Sequence, residues 1–156
     1  DILSLVQESV EDCRAFSGRL HQIVFKVTGK PRLYYCDRKL FLNLVTNLIG
    51  NAVKYSAAGT RVDITLDFQD LKVLLSVQDQ GIGIPLEDEK KLFEPFHRGS
   101  NTTGFSGNGL GLTIVKQAAD LHRAKISVQS EKEKGSVFTV AFPYRLEIEP
   151  PCGNRS

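Results

Sequence analysis

No apolar run in this sequence is long enough to cross a bilayer. Its most hydrophobic stretch, Leu40 to Val53, is interrupted by Asn43, Asn47 and Asn51 and falls short of the roughly 20 apolar residues a spanning helix needs. Nothing in it reads as a signal peptide either. Charge of one sign is also missing: 20 Lys and Arg against 18 Asp and Glu leave a formal net charge of +2 and a pI near 8.5. That balance is too mild for a nucleic-acid surface, and no basic run is interleaved with aromatics, so no nucleic-acid partner is expected. The three cysteines, Cys13, Cys36 and Cys152, are odd in number and lack metal-ligand spacing, which suits a reducing cytoplasm better than a disulfide framework. The three histidines, His21, His97 and His122, are scattered, with no acidic neighbour in sequence, and read as ordinary surface or structural side chains. Glu87-Asp-Glu-Lys-Lys91 reads as a solvated helical face. Asn101-Thr-Thr103 and Asn154-Arg-Ser156 match the glycosylation pattern, but without secretory signals they read as chance matches.

What is present is enough for one ordinary core: 156 residues, 41% of them hydrophobic, about one domain. The chain starts at Asp1 rather than Met and is expected to be a piece of something longer. Ile2, Leu5, Val6, Val10 and Cys13 fall at helical spacing before Gly18. Gln22 to Thr28 alternates as a strand, Gly29-Lys-Pro31 turns the chain, and Leu33 to Cys36 reads as a second short strand, giving an expected antiparallel pair. Asp37 is a good N-cap for a helix from about Arg38 to Tyr55. Val62 to Phe68 and Val73 to Val77 alternate around Asp70 as a hairpin. A short helical segment is expected over Glu87 to Phe93, a mobile loop over Arg98 to Gly109, a helix over Leu110 to Leu121, and a closing hairpin of Ile126 to Val128 with Ser136 to Phe142. The domain is expected to span 1–146 and a polar tail 147–156. This order predicts an α/β two-layer sandwich: a mixed, mostly antiparallel sheet covered on one face by helices. A doubly wound dinucleotide fold is excluded, because two strands and a helix precede the first glycine motif.

Three clusters carry chemistry. At about 100° per residue, Asn47, Asn51 and Lys54 fall within roughly 60° of arc, beside the apolar stripe of Phe41, Leu44, Leu48 and Ala52. Amide oxygens suit Mg²⁺ when phosphates already bring the negative charge, and Lys54 suits phosphate oxygens. Asp79 follows the apolar residues Leu75 and Val77 and precedes Gly81, Gly83 and Ile84. Its carboxylate would accept from the exocyclic amine of adenine and oppose the carbonyl of guanine. Gly107-x-Gly109-x-Gly111 leads into a helix, where free N–H groups and the positive end of the dipole favour phosphate. No Gly-Lys-Ser/Thr follows, so it is not a P-loop.

Taken in order, the asparagine helix, Asp79-x-Gly-x-Gly83, Leu92-Phe-Glu-Pro-Phe96-x-Arg98 and Gly107-x-Gly-Leu-Gly-Leu112 make the chain resemble the catalytic, ATP-binding domain of a bacterial two-component sensor histidine kinase. The resemblance runs from about Asp1 to Pro143, and the four segments match that family's N, G1, F and G2 boxes. It implies a Bergerat-type sandwich of the GHKL superfamily, with ATP under a flexible lid spanning about Arg98 to Asn108. By position it implies that Asn51 holds Mg²⁺, that Asn47 and Lys54 meet phosphates or metal, and that Tyr55 lies against ribose or base. Asp79 would take adenine N6, with Gly81, Gly83 and Ile84 alongside. Arg98 would approach the polyphosphate, and Gly107, Gly109, Leu110, Gly111 and Leu112 would cradle it. Ser136, after the glycine of the last hairpin, matches a hydroxyl that joins a water beside the adenine.

Two features depart from the family. No histidine followed by an acidic residue stands on a dimerising helix, so the phosphoacceptor must come from a separate dimerisation domain of the parent kinase. The chain itself is expected to be monomeric and cytoplasmic. The parent is expected to be homodimeric, to serve a response regulator indirectly, and to be open to membrane anchoring. The second departure is Arg123-Ala-Lys125 after the helix ending at His122, where the family often has two glycines. Other readings are an ATPase of the same superfamily and a nucleotide-sensing module. The ATPases carry a glutamate four residues before the metal asparagine to activate water; here that position is Asn47, which cannot serve as a general base.

Overall fold

The computed structural model describes residues 1–18 and 20–144. The polar tail, Cys152, the second glycosylation match and the expected boundary at 146 lie outside the described residues. Helix α1 (Ile2–Ser17) starts where the Asp1 carboxylate accepts the Leu3 N–H at 3.0 Å. Strand β1 (Gln22–Gly29) follows, then α2 (Arg38–Lys54), β2 (Arg61–Phe68), β3 (Lys72–Gln78), α3 (Gly111–Leu121), β4 (Lys125–Glu131) and β5 (Gly135–Pro143). The five strands form one open sheet in the order β1-β2-β3-β5-β4; β1 and β2 are parallel, and all other pairs antiparallel. This is the α/β sandwich anticipated from the pattern of elements.

Alternation explains which face is covered. Val62, Ile64, Leu66 and Phe68 of β2 and Val73, Leu75 and Val77 of β3 are buried in turn, as a period of two demands when one face meets helices. Against that face α2 lies between its two neighbours, burying Phe41, Leu44, Val45, Leu48, Ile49 and Ala52. Asp37 caps it by accepting the Leu40 N–H at 2.9 Å. The hairpins expected around Asp70 and at 131–135 are both present.

Two expected elements differ. Leu33 to Cys36 is not a strand, and β1 pairs in parallel with β2 instead of turning back on itself. The apolar alternation there has another cause: Tyr34 is buried against Phe142, with ring centroids 5.7 Å apart, while Leu33 and Tyr35 face solvent. One anchored side chain in an irregular crossing imitates a strand. The segment 87–93 also shortens to a single 3₁₀ turn, Glu89–Lys91.

His122 behaves as a structural residue. Its Nδ1 donates to the Ala118 carbonyl at 2.7 Å and its Nε2 accepts the Asp37 N–H at 3.1 Å, joining the ends of α3 and α2. After it, Arg123 sits at φ 55, in the left-handed position that glycine usually fills, while Ala124 N–H reaches back to the Ala119 carbonyl at 2.8 Å. The turn therefore closes as it would with glycine, at a steric cost of about 1 kcal/mol. Cys13 and Cys36 are half-buried, and burial pushes both thiols up, away from reactivity.

Candidate functional site

A cleft of about 270 Å³ opens between the C-terminal half of α2, the end of β3, the loop after it and the start of α3. Asn47, Asn51, Lys54 and Tyr55 line it from α2 and its end; Asp79, Gly83, Ile84, Ser136 and Phe138 line it from the sheet side; Gly107, Gly109, Gly111 and Leu112 line it from the glycine-rich turn. The helical arc computed from spacing is therefore one wall.

On that wall the Asn47 amide is oriented by its own helix. Its Nδ2 donates to the Asn43 carbonyl at 2.7 Å, so Oδ1 is the end left for the cleft. The facing backbone fits closely: a Cβ on Gly111 would come within 3.0 Å of Asn47 Oδ1 and 3.8 Å of the Asn51 amide, and one on Gly107 within 2.5 Å of Lys54 Nζ. A side chain at Gly111 would press on Asn47 and one at Gly107 would displace the flexible end of Lys54, while Asn51 stays at ordinary contact distance. Helix α3 begins at Gly111 with no side chain capping it, so its first N–H groups remain unpaired donors beside two amides and an ammonium. Neutral oxygens next to a cation and a helix N-terminus suit a hard metal ion carried by a polyanion. Among the described residues no group of three His, Cys, Asp or Glu could hold a metal alone.

The sheet end of the cleft is different in character. Asp79 is only 7% exposed, and Oδ1 accepts the Gly81 N–H at 2.8 Å. Burial raises its pKa, and the backbone N–H groups of Gly81 and Ser136 pull partly against that rise. Gly81 must be glycine because a Cβ would collide with the Tyr55 carbonyl oxygen and press on Asp79. Next to it, Ile82 N–H donates to that same Tyr55 carbonyl at 3.1 Å. A buried acceptor flanked by Ile84 and Phe138 suits a flat apolar ligand bearing a polar donor at its edge.

Residues 98–109 contain neither helix nor strand, as expected, yet their first half is tied down. Asp88 is buried, against the expectation of a solvated acidic face. Its Oδ2 accepts the Ser100 backbone N–H at 2.7 Å and hydroxyl at 2.9 Å, and His97 Nε2 lies 3.4 Å from Oδ1 without a well-aligned hydrogen bond. The Ser100 backbone N–H, then its hydroxyl and His97, hold the Asp88 carboxyl below the usual range against the opposing effect of burial. Asn101 Nδ2 adds a bond to the Gly83 carbonyl at 3.0 Å. Arg98 turns to the loop's own carbonyls, those of Thr102 and Phe105, and Phe105 packs on Tyr55 with centroids 5.1 Å apart.

Of the fifteen residues singled out in the sequence, only Gly81 and Leu110 fail to line the cleft. Gly81 stands behind Asp79, and Leu110 donates its N–H to Asn108 Oδ1 at 3.2 Å. Lining residues missed in the sequence include Ile82, Leu92, His97, Asn101, Thr102, Asn108 and Phe138. Several occupy variable positions inside the motifs themselves, and Phe138 was recoverable from β5, where it shares a face with Ser136 two residues earlier.

Known proteins resemble this chain over most of its length. The family described as histidine kinase-, DNA gyrase B-, and HSP90-like ATPase matches residues 36–146. The sensor histidine kinase RppB of Synechocystis is 44% identical over 104 residues, covering 64% of this chain and 22% of RppB. A mycobacterial sensor histidine kinase, MprB, has a structure superposing with a TM-score of 0.81 at 30% identity, over 93% of this chain and 97% of that one. Full-length ShkA, solved in complex with AMPPNP, gives a TM-score of 0.76 at 27% identity, over 92% of this chain and 30% of its own. The chain thus spans less than a third of the full-length relatives named here.

Proposed function

This chain belongs to the histidine kinase-, DNA gyrase B- and HSP90-like ATPases, among their sensor histidine kinases, and from that premise we propose that it binds Mg-ATP and donates the γ-phosphoryl group to a histidine on a separate dimerisation domain. The observation that carries the reading is the pairing of two unlike ends in one cleft: Asn47, Asn51 and Lys54 against the uncapped start of α3, and buried Asp79 at the sheet. The first end takes a metal-bound polyphosphate. The second takes an adenine amine. That full-length ShkA was solved with AMPPNP supports a nucleotide here as well.

Asn51 would hold Mg²⁺, and Asn47, whose oxygen faces the cleft, would lie beside it. Bound there, Mg²⁺ supplies neutralisation of the phosphate oxygens. Lys54 and the N–H groups at the start of α3 hold the same polyanion, and Arg98 meets it once released from the loop carbonyls. Tyr55, Gly83, Ile84 and Phe138 enclose base and ribose, while Asp79 accepts from N6. In the transfer, an imidazole nitrogen of the acceptor forms a bond to the γ-phosphorus as the bond to the β–γ bridging oxygen breaks, and that electron pair leaves with ADP. The position at which the ATPases of this superfamily carry a water-activating glutamate holds Asn47, which cannot act as a general base. Hydrolysis is accordingly slow without a partner.

We place the domain in the cytoplasm, as part of a longer homodimeric kinase that phosphorylates a response regulator in turn. No described helix is long and apolar enough to cross a membrane. The test uses labelled ATP. The chain alone should remain essentially unlabelled, and adding the parent's dimerisation domain should give acid-labile phosphohistidine on that domain. Strong labelling of the chain alone, or brisk phosphate release without a partner, would overturn the reading.

A further inference from the structure

Ser130, on β4, does not itself line the cleft but touches two residues that do, Ser136 and Ile84. Three contacts meet at its hydroxyl. Ser130 Oγ is 3.0 Å from the Gly135 carbonyl oxygen, 2.8 Å from the Ile84 backbone N–H donor and 2.8 Å from Ser136 Oγ. A hydroxyl has one proton. The Gly135 carbonyl can only accept, so that proton belongs to it. The contact between the two hydroxyl oxygens then needs the proton of Ser136, because two oxygens at that distance without a hydrogen between them repel. The network therefore runs one way, from Ser136 to Ser130 to the Gly135 carbonyl, with Ile84 N–H as a second donor into Ser130.

We propose that Ser130 is a positioning residue for base selection: it holds the Ser136 proton away from the cleft, so that Ser136 and Asp79 present acceptors and no donor to the base edge. This rests on the nucleotide reading above. Ser136 is 7% exposed and lines the cleft with Asp79. An edge made only of acceptors favours the two-proton amine of adenine and disfavours the carbonyl that hypoxanthine or guanine carries at the same place. A water in that shell must give one of its two protons to Ser136, which leaves it one donor rather than two. Removing the Ser130 hydroxyl frees Ser136 to turn and donate into the cleft.

The experiment compares ATP with ITP, which carries a carbonyl in place of the 6-amino group and a proton on the adjacent N1, by calorimetry on the wild type, Ser130→Ala, Ser130→Thr and the double variant Ser130→Ala with Ser136→Ala. Ser130→Ala should narrow the preference for ATP over ITP by about two- to tenfold, the worth of one neutral hydrogen bond. Ser130→Thr, which keeps the hydroxyl, should stay near the wild-type ratio, and the double variant should return toward it because the released donor is gone. A merely structural role, loosening the loop at Ile84, would weaken both nucleotides together and leave the ratio fixed. An unchanged ratio in Ser130→Ala, or an equal shift in Ser130→Thr, overturns the proposal while the nucleotide site stands. A wild type that binds neither nucleotide overturns the reading on which it rests.

Discussion

Replacing Asp79 by Asn separates the two demands placed on this carboxylate. The Gly81 N–H, 2.8 Å from Oδ1, fixes how the amide must sit: its oxygen keeps that bond and its NH₂ takes the place of the other carboxylate oxygen. A donor then faces the adenine amine where a charged acceptor stood. Losing one hydrogen bond to a charged group is worth about 1.5–3 kcal/mol, or roughly ten- to a hundredfold in ATP affinity, and GTP should lose far less or gain. Stability should move the other way. Burial raises the Asp79 pKa above its ordinary value, so between those two values the native state holds more protons than the unfolded one. The group's contribution is therefore full below the ordinary carboxylate range and is lost as pH rises through the raised pKa. At neutral pH the unliganded variant should be at least as stable as the wild type, and near pH 4 that relative advantage should shrink. Calorimetry with ATP and GTP, and thermal melts at both pH values, measure the two halves. Equal wild-type affinity for ATP and GTP refutes the adenine assignment; a variant clearly destabilised at pH 7 refutes the account of burial.

Asn51→Ala should remove the Mg²⁺-dependent part of ATP binding, about tenfold or more, and abolish transfer to a supplied dimerisation domain; in EDTA the variant and wild type should bind alike, and a loss that persists there would mean a structural fault instead. Arg123→Gly relieves a left-handed residue at φ 55 but adds freedom to the unfolded chain, so denaturant melts should show a gain of up to about 1 kcal/mol with ATP affinity unchanged. A loss of stability would show that the arginine side chain contributes more than its backbone costs.

The elements that could be read from the sequence were those whose pattern is set by their own neighbours. Asp37 and the stripe from Phe41 to Ala52 specify α2 locally, and the alternation of Val62 to Phe68 specifies β2. Pairing was less legible. β1 has only one fully buried residue, Ile23, so its pattern says little about which strand it joins, and Tyr34 lent its neighbours a false strand period. The site was legible because its residue types are rare in those settings: asparagines along a helix wall, an aspartate running into glycines. Asp88 was not, since a run of charged residues reads as solvated until the loop that buries it is placed above it. Ser130 was hidden for the same reason, as its role depends on a carbonyl and a hydroxyl that only the β4–β5 register brings together.

The glycines show why motifs so far apart in sequence occur together. Gly81 is held to its identity by the carbonyl of Tyr55, at the end of the asparagine helix, and Gly109, at φ 74, by the His97 carbonyl, 2.6 Å from where a Cβ would be. Phe96 N–H closes that second junction on the Gly109 carbonyl at 3.2 Å. Each of these glycines answers to another motif's backbone before it answers to any ligand. Gly107 and Gly111 differ, because the atoms that crowd them are Lys54 Nζ and Asn47 Oδ1, side-chain atoms that face the cleft. The first pair joins the walls to one another, and the second leaves the polar wall its working space. An alanine at Gly81 or Gly109 should therefore disturb the whole site through its frame, whereas one at Gly107, strained in its own backbone at φ 139, meets no atom but those of Lys54 and should act chiefly on the phosphate end.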